Sequence, residues 1–298
     1  MPFNVMILAW LIYHAVGPLR HGILDAWLAP WSDWVTSTVL PKSGEIVALL
    51  VLLLVPVAIA GGVIELVDGL FFGLVGFAAH VVLLVYSTGR TPVEQLIEQY
   101  THRYSKGDTQ AAFHVVENYV DQVDVNNQAA LHTETRRMLA YERYSALFAV
   151  IVWFVILGPL GALFYRLSQL LSTRCRHQGE VCFILHRRLQ SLFYFLDWLP
   201  VRVLGLLFAI GGNAGAVLQQ YKAALFTREA PHRFLDRLLM TSLYGETAEQ
   251  GAMQGDMVDA DAASNEVVTA IREIKFADQL IRRSVVVGIV IVRSLIHF

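Results

Sequence analysis

The sequence predicts an all-α fold, a polytopic membrane helical bundle with helical cytoplasmic loops, on three observations. Residues 46–64 carry no charge and come close to the ~20 apolar residues that a helix needs to cross the hydrocarbon core. A second apolar run, 69–86, follows almost at once, so the two read as a transmembrane hairpin. Composition agrees: hydrophobic residues are 55% and charged residues 16%, with a mean hydropathy of +0.50, all displaced from globular values in the membrane direction. Apolar segments recur from end to end, and 1–298 is therefore read as a single membrane-embedded domain.

Residues 2–17 are apolar but have no basic flank and no small-residue cleavage site, which argues against a removed signal peptide. The segment is short for a span. Trp10, His14, Trp27, Trp31 and Trp34 around it are the amphipathic rings that anchor chains at an interface, so crossing and interfacial docking both stay open. The hairpin then turns through Glu65 and Asp68. The following stretch holds Arg90, Arg103, Lys106, Arg136, Arg137 and Arg143, and this excess of positive charge assigns it to the cytoplasmic side and the acidic turn to the other.

That inner loop, 90–143, reads as helical. Pro92 and Glu94 open a first turn, Leu96, Ile97 and Tyr100 recur at helical spacing, and Ser105 to Asp108 punctuate. Helical pattern resumes at 111–123 and again at 128–144. The third span is 147–167, which Gly158 and Pro159 should bend or break, because proline removes a backbone donor. The fourth is 199–218, with Gly205, Gly211, Gly212 and Gly215; the Gly211 to Gly215 spacing suits close helix packing or a homo-oligomer contact. The fifth, 284–298, follows Arg282 and Arg283 as a cytoplasmic stop. Strict alternation puts the arginine-rich stretch 166–202 outside, against the charge rule. Either the third span folds back at Gly158, or these arginines lie on an amphipathic helix packed on the bundle; full crossing is the preferred reading. Residues 221–283 read as a polar inner loop with too little apolar content to bury much core alone.

Several function classes are disfavoured. A formal net charge of -2 without a basic stripe gives nucleic acid no footing. Cys175, His177, Cys182 and His186 are the residue types that bind zinc, but C-x-H-x4-C-x3-H matches no common structural pattern, so solvated loop residues are expected. Asp256, Asp259 and Asp261 lack the order of a calcium loop and read as an acidic turn. No phosphate loop, nucleophile elbow or H-E-x-x-H occurs, and no cofactor is expected. Charge at membrane depth is the remaining clue, since it is costly and tends to pair. Arg166, Asp197 and Arg202 are the candidates, and Asp197 with Arg202 is expected to form a structural pair across Trp198-Leu199-Pro200.

The stretches GPLGALFYR, 158–166, and LDWLPVR, 196–202, resemble the AmpE family, bacterial inner-membrane proteins associated with regulation of β-lactamase induction and related to the CobD/CbiB cobalamin-biosynthesis membrane proteins. The resemblance implies a multi-pass inner-membrane protein and singles out Gly158, Pro159, Gly161, Tyr165, Arg166, Asp197, Pro200 and Arg202. The synthase relatives carry a Val-Gly-Arg-Asp-Thr motif where this chain reads Val116 to Asp121. Their Asn-Thr-Leu-Asp segment is replaced here by Ser168-Gln169-Leu170-Leu171-Ser172. Scaffold retained without those polar groups implies a non-catalytic modulator of β-lactamase induction and cell-wall stress signalling. Its partners would be the lipid bilayer and a protein or cell-wall-derived ligand. A membrane amide-forming synthase and a small-molecule transporter are the rival readings.

Overall fold

The structure, a computed structural model, describes residues 2–16, 25–67, 73–89, 91–117, 119, 127–177, 180–211, 214–224, 229–245 and 260–296, and among these there is no strand. The helices in chain order are α1 Pro2–Val16, α2 Leu28–Thr38, α3 Leu40–Val67, α4 Leu74–Ser87, α5 Val93–Tyr104, α6 Thr109–Val116, α7 Gln128–Arg143, α8 Ala149–His177, α9 Glu180–Gly211, α10 Ala214–Ala224, α11 Pro231–Tyr244 and α12 Ala260–Ile296, with a π-helical turn Tyr144–Phe148 before α8. Local chemistry sets several ends. Asp108 caps α6 by accepting from the Ala111 N–H at 2.9 Å, and Asn127 caps α7 through the Ala130 N–H at 3.0 Å. Pro231 starts α11 where its missing donor costs nothing.

Among the described residues, three helical stretches are long and apolar enough to cross a membrane: Leu40–Val67, Gln128–Cys175 and Leu185–Ile210. Their exposed side chains include Ile46, Leu50, Ile59 and Val63 on α3 and Ile156 and Leu157 on α8. Such a row has no stable place in water but needs no partner in lipid.

The chain divides into two compact units, one of Met1–Arg90, Ala146–Pro200 and Val292–Phe298, the other of Thr91–Ser145 and Val201–Ile291. In the first, α4 packs on α1 and α8, and α3 packs on α2, α4 and α8. Its core includes Val35, Leu52, Leu53, Leu163, Leu167 and Leu185. In the second, α5 packs on α6 and α7, and α11 on α7 and α10. Its core joins Val93, Tyr100, Tyr104, Val116 and Leu139 to Ala270 and Ile274 of α12.

Several boundaries depart from the sequence expectation. The fourth apolar segment falls within α9, Leu185–Ile210, rather than 199–218, because the charge of Asp197 is buried beside Tyr165 and does not interrupt the helix. The second arm of the hairpin is described as Leu74–Ser87, 14 residues, which is shorter than a comfortable span. The run 284–296 is the end of the 37-residue α12, not a separate helix. Within 221–283, Phe234, Leu235, Leu238 and Leu239 of α11 and Ile274, Leu280 and Ile281 of α12 are buried, since helical spacing collects the few apolar residues on one face, and Ile274 joins a core shared with α5, α6 and α7. The inner loop is helical over α5, α6 and α7, as its periodicity predicts.

Candidate functional site

In the first unit the two sequence motifs meet. Gly158 adopts φ 71°, ψ -163°, breaking α8 in a region open to glycine. The kink presses the preceding turn onto Gly161, where a Cβ would lie 2.5 Å from Leu157 Cβ and 2.7 Å from the Trp153 carbonyl oxygen. One turn on, the Tyr165 hydroxyl donates to Asp197 Oδ1 at 2.8 Å, with both side chains fully enclosed. Arg166 is also buried, and its guanidinium donates to Gln169 Oε1 at 2.6 Å. Pro200 lies inside α9. The two tryptophan indoles that approach prolines of this unit donate to carbonyls: Trp153 to Leu196 at 3.1 Å and Trp31 to Leu52 at 3.4 Å.

Arg202 belongs to the second unit, where its guanidinium lies 5.0 Å over the Phe234 ring. Gly205, one turn further, admits Leu238 so closely that a Cβ would sit 2.6 Å from its Cδ1. Two of the arginines that break the charge rule find acids within the first unit: Arg174 with Asp33 and Arg188 with Glu45, each at 3.0 Å. Of the zinc-like stretch, Cys175 joins the core and His186 faces Gln190 at 3.0 Å; the side chains of His177 and Cys182 lie outside the described residues, as do those of Asp256, Asp259 and Asp261. No group of three His, Cys, Asp or Glu side chains suited to a metal gathers among the described residues.

The densest polar arrangement lies in the second unit and has no sequence motif. Arg136 of α7 makes a forked pair with Asp236 of α11, Nε to Oδ1 at 3.0 Å and Nη2 to Oδ2 at 3.2 Å, and its Nη1 donates to Glu273 of α12. His132 Nε2 approaches the same Glu273 at 3.2 Å, and the Tyr244 hydroxyl donates to its other oxygen at 2.8 Å. The Tyr104 ring stacks on His132 at 6.0 Å. Arg136 and Asp236 are 7% and 6% exposed, so this is a buried pair whose forked geometry offsets desolvation. Burial pushes the Glu273 carboxyl upward, but the His132 hydrogen bond, the Arg136 charge and the Tyr244 hydroxyl outweigh it and hold it below its ordinary range. Burial, then the bond to Glu273, pushes the Tyr244 phenol up to about 12.

A second cluster repeats this chemistry toward the start of α5. Arg143 Nε donates to Asp278 Oδ1 at 2.6 Å and its Nη1 faces Glu94 at 3.5 Å. Arg282 donates to the other oxygen of Asp278 at 2.8 Å and also pairs with Glu94. Sequence reasoning missed both clusters. The available signal was spacing on α7, where His132, Arg136 and Arg143 fall at i, i+4 and i+11 of one helical face. Chemically the arrangement locks α7, α11 and α12 through charges that cannot part without being left unpaired in a low dielectric.

Comparison with protein families finds that the model described as "Regulatory signalling modulator protein AmpE" matches residues 6–276. No curated protein and no solved structure matches the chain.

Proposed function

The chain belongs to the AmpE family, and from that premise we propose that it acts in the bacterial inner membrane as a non-catalytic modulator of β-lactamase induction. The match across residues 6–276 carries this reading, because it takes in both motifs and the whole Arg136–Asp236–Glu273–His132 cluster. Physical chemistry supports it in a specific way. A regulator must hold two states that a ligand or partner binds unequally. The forked Arg136–Asp236 pair with Glu273 and His132 is an all-or-none element of the second unit, and Gly158 is a backbone break in the first. The signal is read as a protein or cell-wall-derived ligand, and the output as altered induction.

The test is induction of β-lactamase by a sub-inhibitory β-lactam in a strain lacking the gene, restored in trans with the wild type, with Asp197→Asn or with Arg136→Met at matched protein levels. A complemented change in induction, reduced by either variant, supports the reading. Unchanged induction on deletion sinks it. Growth of a cobalamin-synthase deletion on complementation, or substrate uptake in proteoliposomes, would then favour the synthase or transporter.

A further inference from the structure

We propose that a groove between α9 and α12 of the second unit binds an anionic phospholipid, with its phosphate on Arg283 and an acyl chain along Leu207, Ile210 and Val287. This site does not depend on the regulatory reading. The groove encloses about 460 Å³ and is lined by Leu207 and Ile210 from α9 and by Leu280, Arg283, Val286 and Val287 among others from α12, a volume within the usual range of ligand sites. Its walls are apolar and open: Ile210 is 67% and Val286 46% exposed.

Charge balance singles out Arg283. Beside it, Arg282 and Arg143 face Glu94 and Asp278, two guanidiniums against two carboxylates. Arg283 is exposed and makes no ion pair among the described residues. Of the two arginines that line the groove, it is the one without a carboxylate partner among the described residues. Leu280, Arg283 and Val287 follow at i, i+3 and i+7 and so share one helix face, which puts the cation in line with the apolar wall.

That pairing of one cation with an open apolar trough suits a phosphate joined to a hydrocarbon chain. A soluble anion would gain a single exposed arginine and nothing from the walls. Arg283 also stands immediately before the apolar run 284–298, where basic residues meet anionic headgroups on the cytoplasmic side.

The full-length protein, purified in neutral detergent, would be offered phosphatidylglycerol or phosphatidylcholine of equal chain length, and retained lipid counted by native mass spectrometry. Wild type should retain phosphatidylglycerol about fivefold better, the preference expected of one basic contact. Arg283→Gln should abolish that preference, Arg283→Lys should keep most of it, and Val287→Trp should lower retention of both lipids by filling the trough. Thermal unfolding of each variant checks that the protein is intact; Arg283 is exposed, so its variants should unfold as wild type does. Equal retention of the two lipids by wild type, or an unchanged preference in Arg283→Gln, overturns the proposal. Displacement of the lipid by millimolar inorganic phosphate would instead assign the site to a soluble anion.

Discussion

The indole N–H of Trp153 donates to the carbonyl of Leu196 at 3.1 Å, and Leu196 is the residue whose helical donor is missing because Pro200 stands four residues on. The same device recurs in α3, where Pro56 deprives Leu52 of its donor and Trp31 supplies one at 3.4 Å. A proline is tolerated in an apolar helix when a neighbouring group satisfies the freed carbonyl. Trp31, one of the rings read from the sequence as interfacial, and Trp153, within the third apolar run, thus each serve a carbonyl that a proline frees.

Trp153→Phe keeps the ring and removes the donor. The stranded carbonyl should cost about 1–3 kcal/mol, read as a lowered Tm in detergent. Adding Pro200→Ala restores the helical N–H, so the double variant should recover part of the loss. Strict additivity of the two changes would show that the indole is not serving that carbonyl.

Gly89 meets the π-helical turn. Its N–H donates to the Ala146 carbonyl at 2.8 Å, and a Cβ there would lie 2.4 Å from Ala146 Cβ and 2.6 Å from its Cα. Gly89→Ala should therefore destabilise by about 1–3 kcal/mol through overpacking. Gly62→Ala, where a Cβ meets nothing within 4 Å, is the control and should leave Tm unchanged or raise it. Equal effects would count against the close approach.

Arg136→Lys retains the charge but loses the fork that engages Asp236 and reaches Glu273. A loss of about 2–4 kcal/mol is expected, since a point charge cannot satisfy both acids. Arg103→Lys, at an exposed site that makes no ion pair among the described residues, should stay within about 0.5 kcal/mol. Comparable chemical-denaturation midpoints for the two variants would deny the buried pair its stabilising role.

Acid should weaken the second unit through Glu273. Its carboxyl is depressed in the folded protein, so its contribution is present above the unfolded value, about 4.3, and is lost as pH falls through the lower folded value. Glu273→Gln should flatten the fall of unfolding midpoint below pH 5 relative to wild type. Parallel pH profiles would show that Glu273 is not held as the geometry implies. Tyr244 works at the opposite end: raised to about 12, its contribution is present below pH ~10 and is lost as pH rises through the folded value.

Much of the scaffold was legible. Runs such as 46–64 and 147–167 are helical because a chain in hydrocarbon must satisfy its own backbone, and length with apolarity states that locally. The break at Gly158 and the caps at Asp108 and Asn127 are equally local. The start of the fourth apolar helix was less legible: Asp197 is accommodated inside α9 by Tyr165, a residue 32 positions earlier that no window around Asp197 contains. The burial of Phe234, Leu235, Leu238 and Leu239 was not legible in the average composition of 221–283, which hides their one-sided placement.

The helical class, the membrane-length segments, the backbone break at Gly158-Pro159 and, through two motifs, the family are all readable along the chain. Which charges meet is settled by packing. Arg136 and Asp236 stand 100 residues apart, and Arg143 and Asp278 stand 135 apart. Hydropathy and helical period place each on a face of its own helix, but a charge pair forms only where packing brings two faces within hydrogen-bond reach, and packing depends on the whole shape of the apolar surfaces that meet.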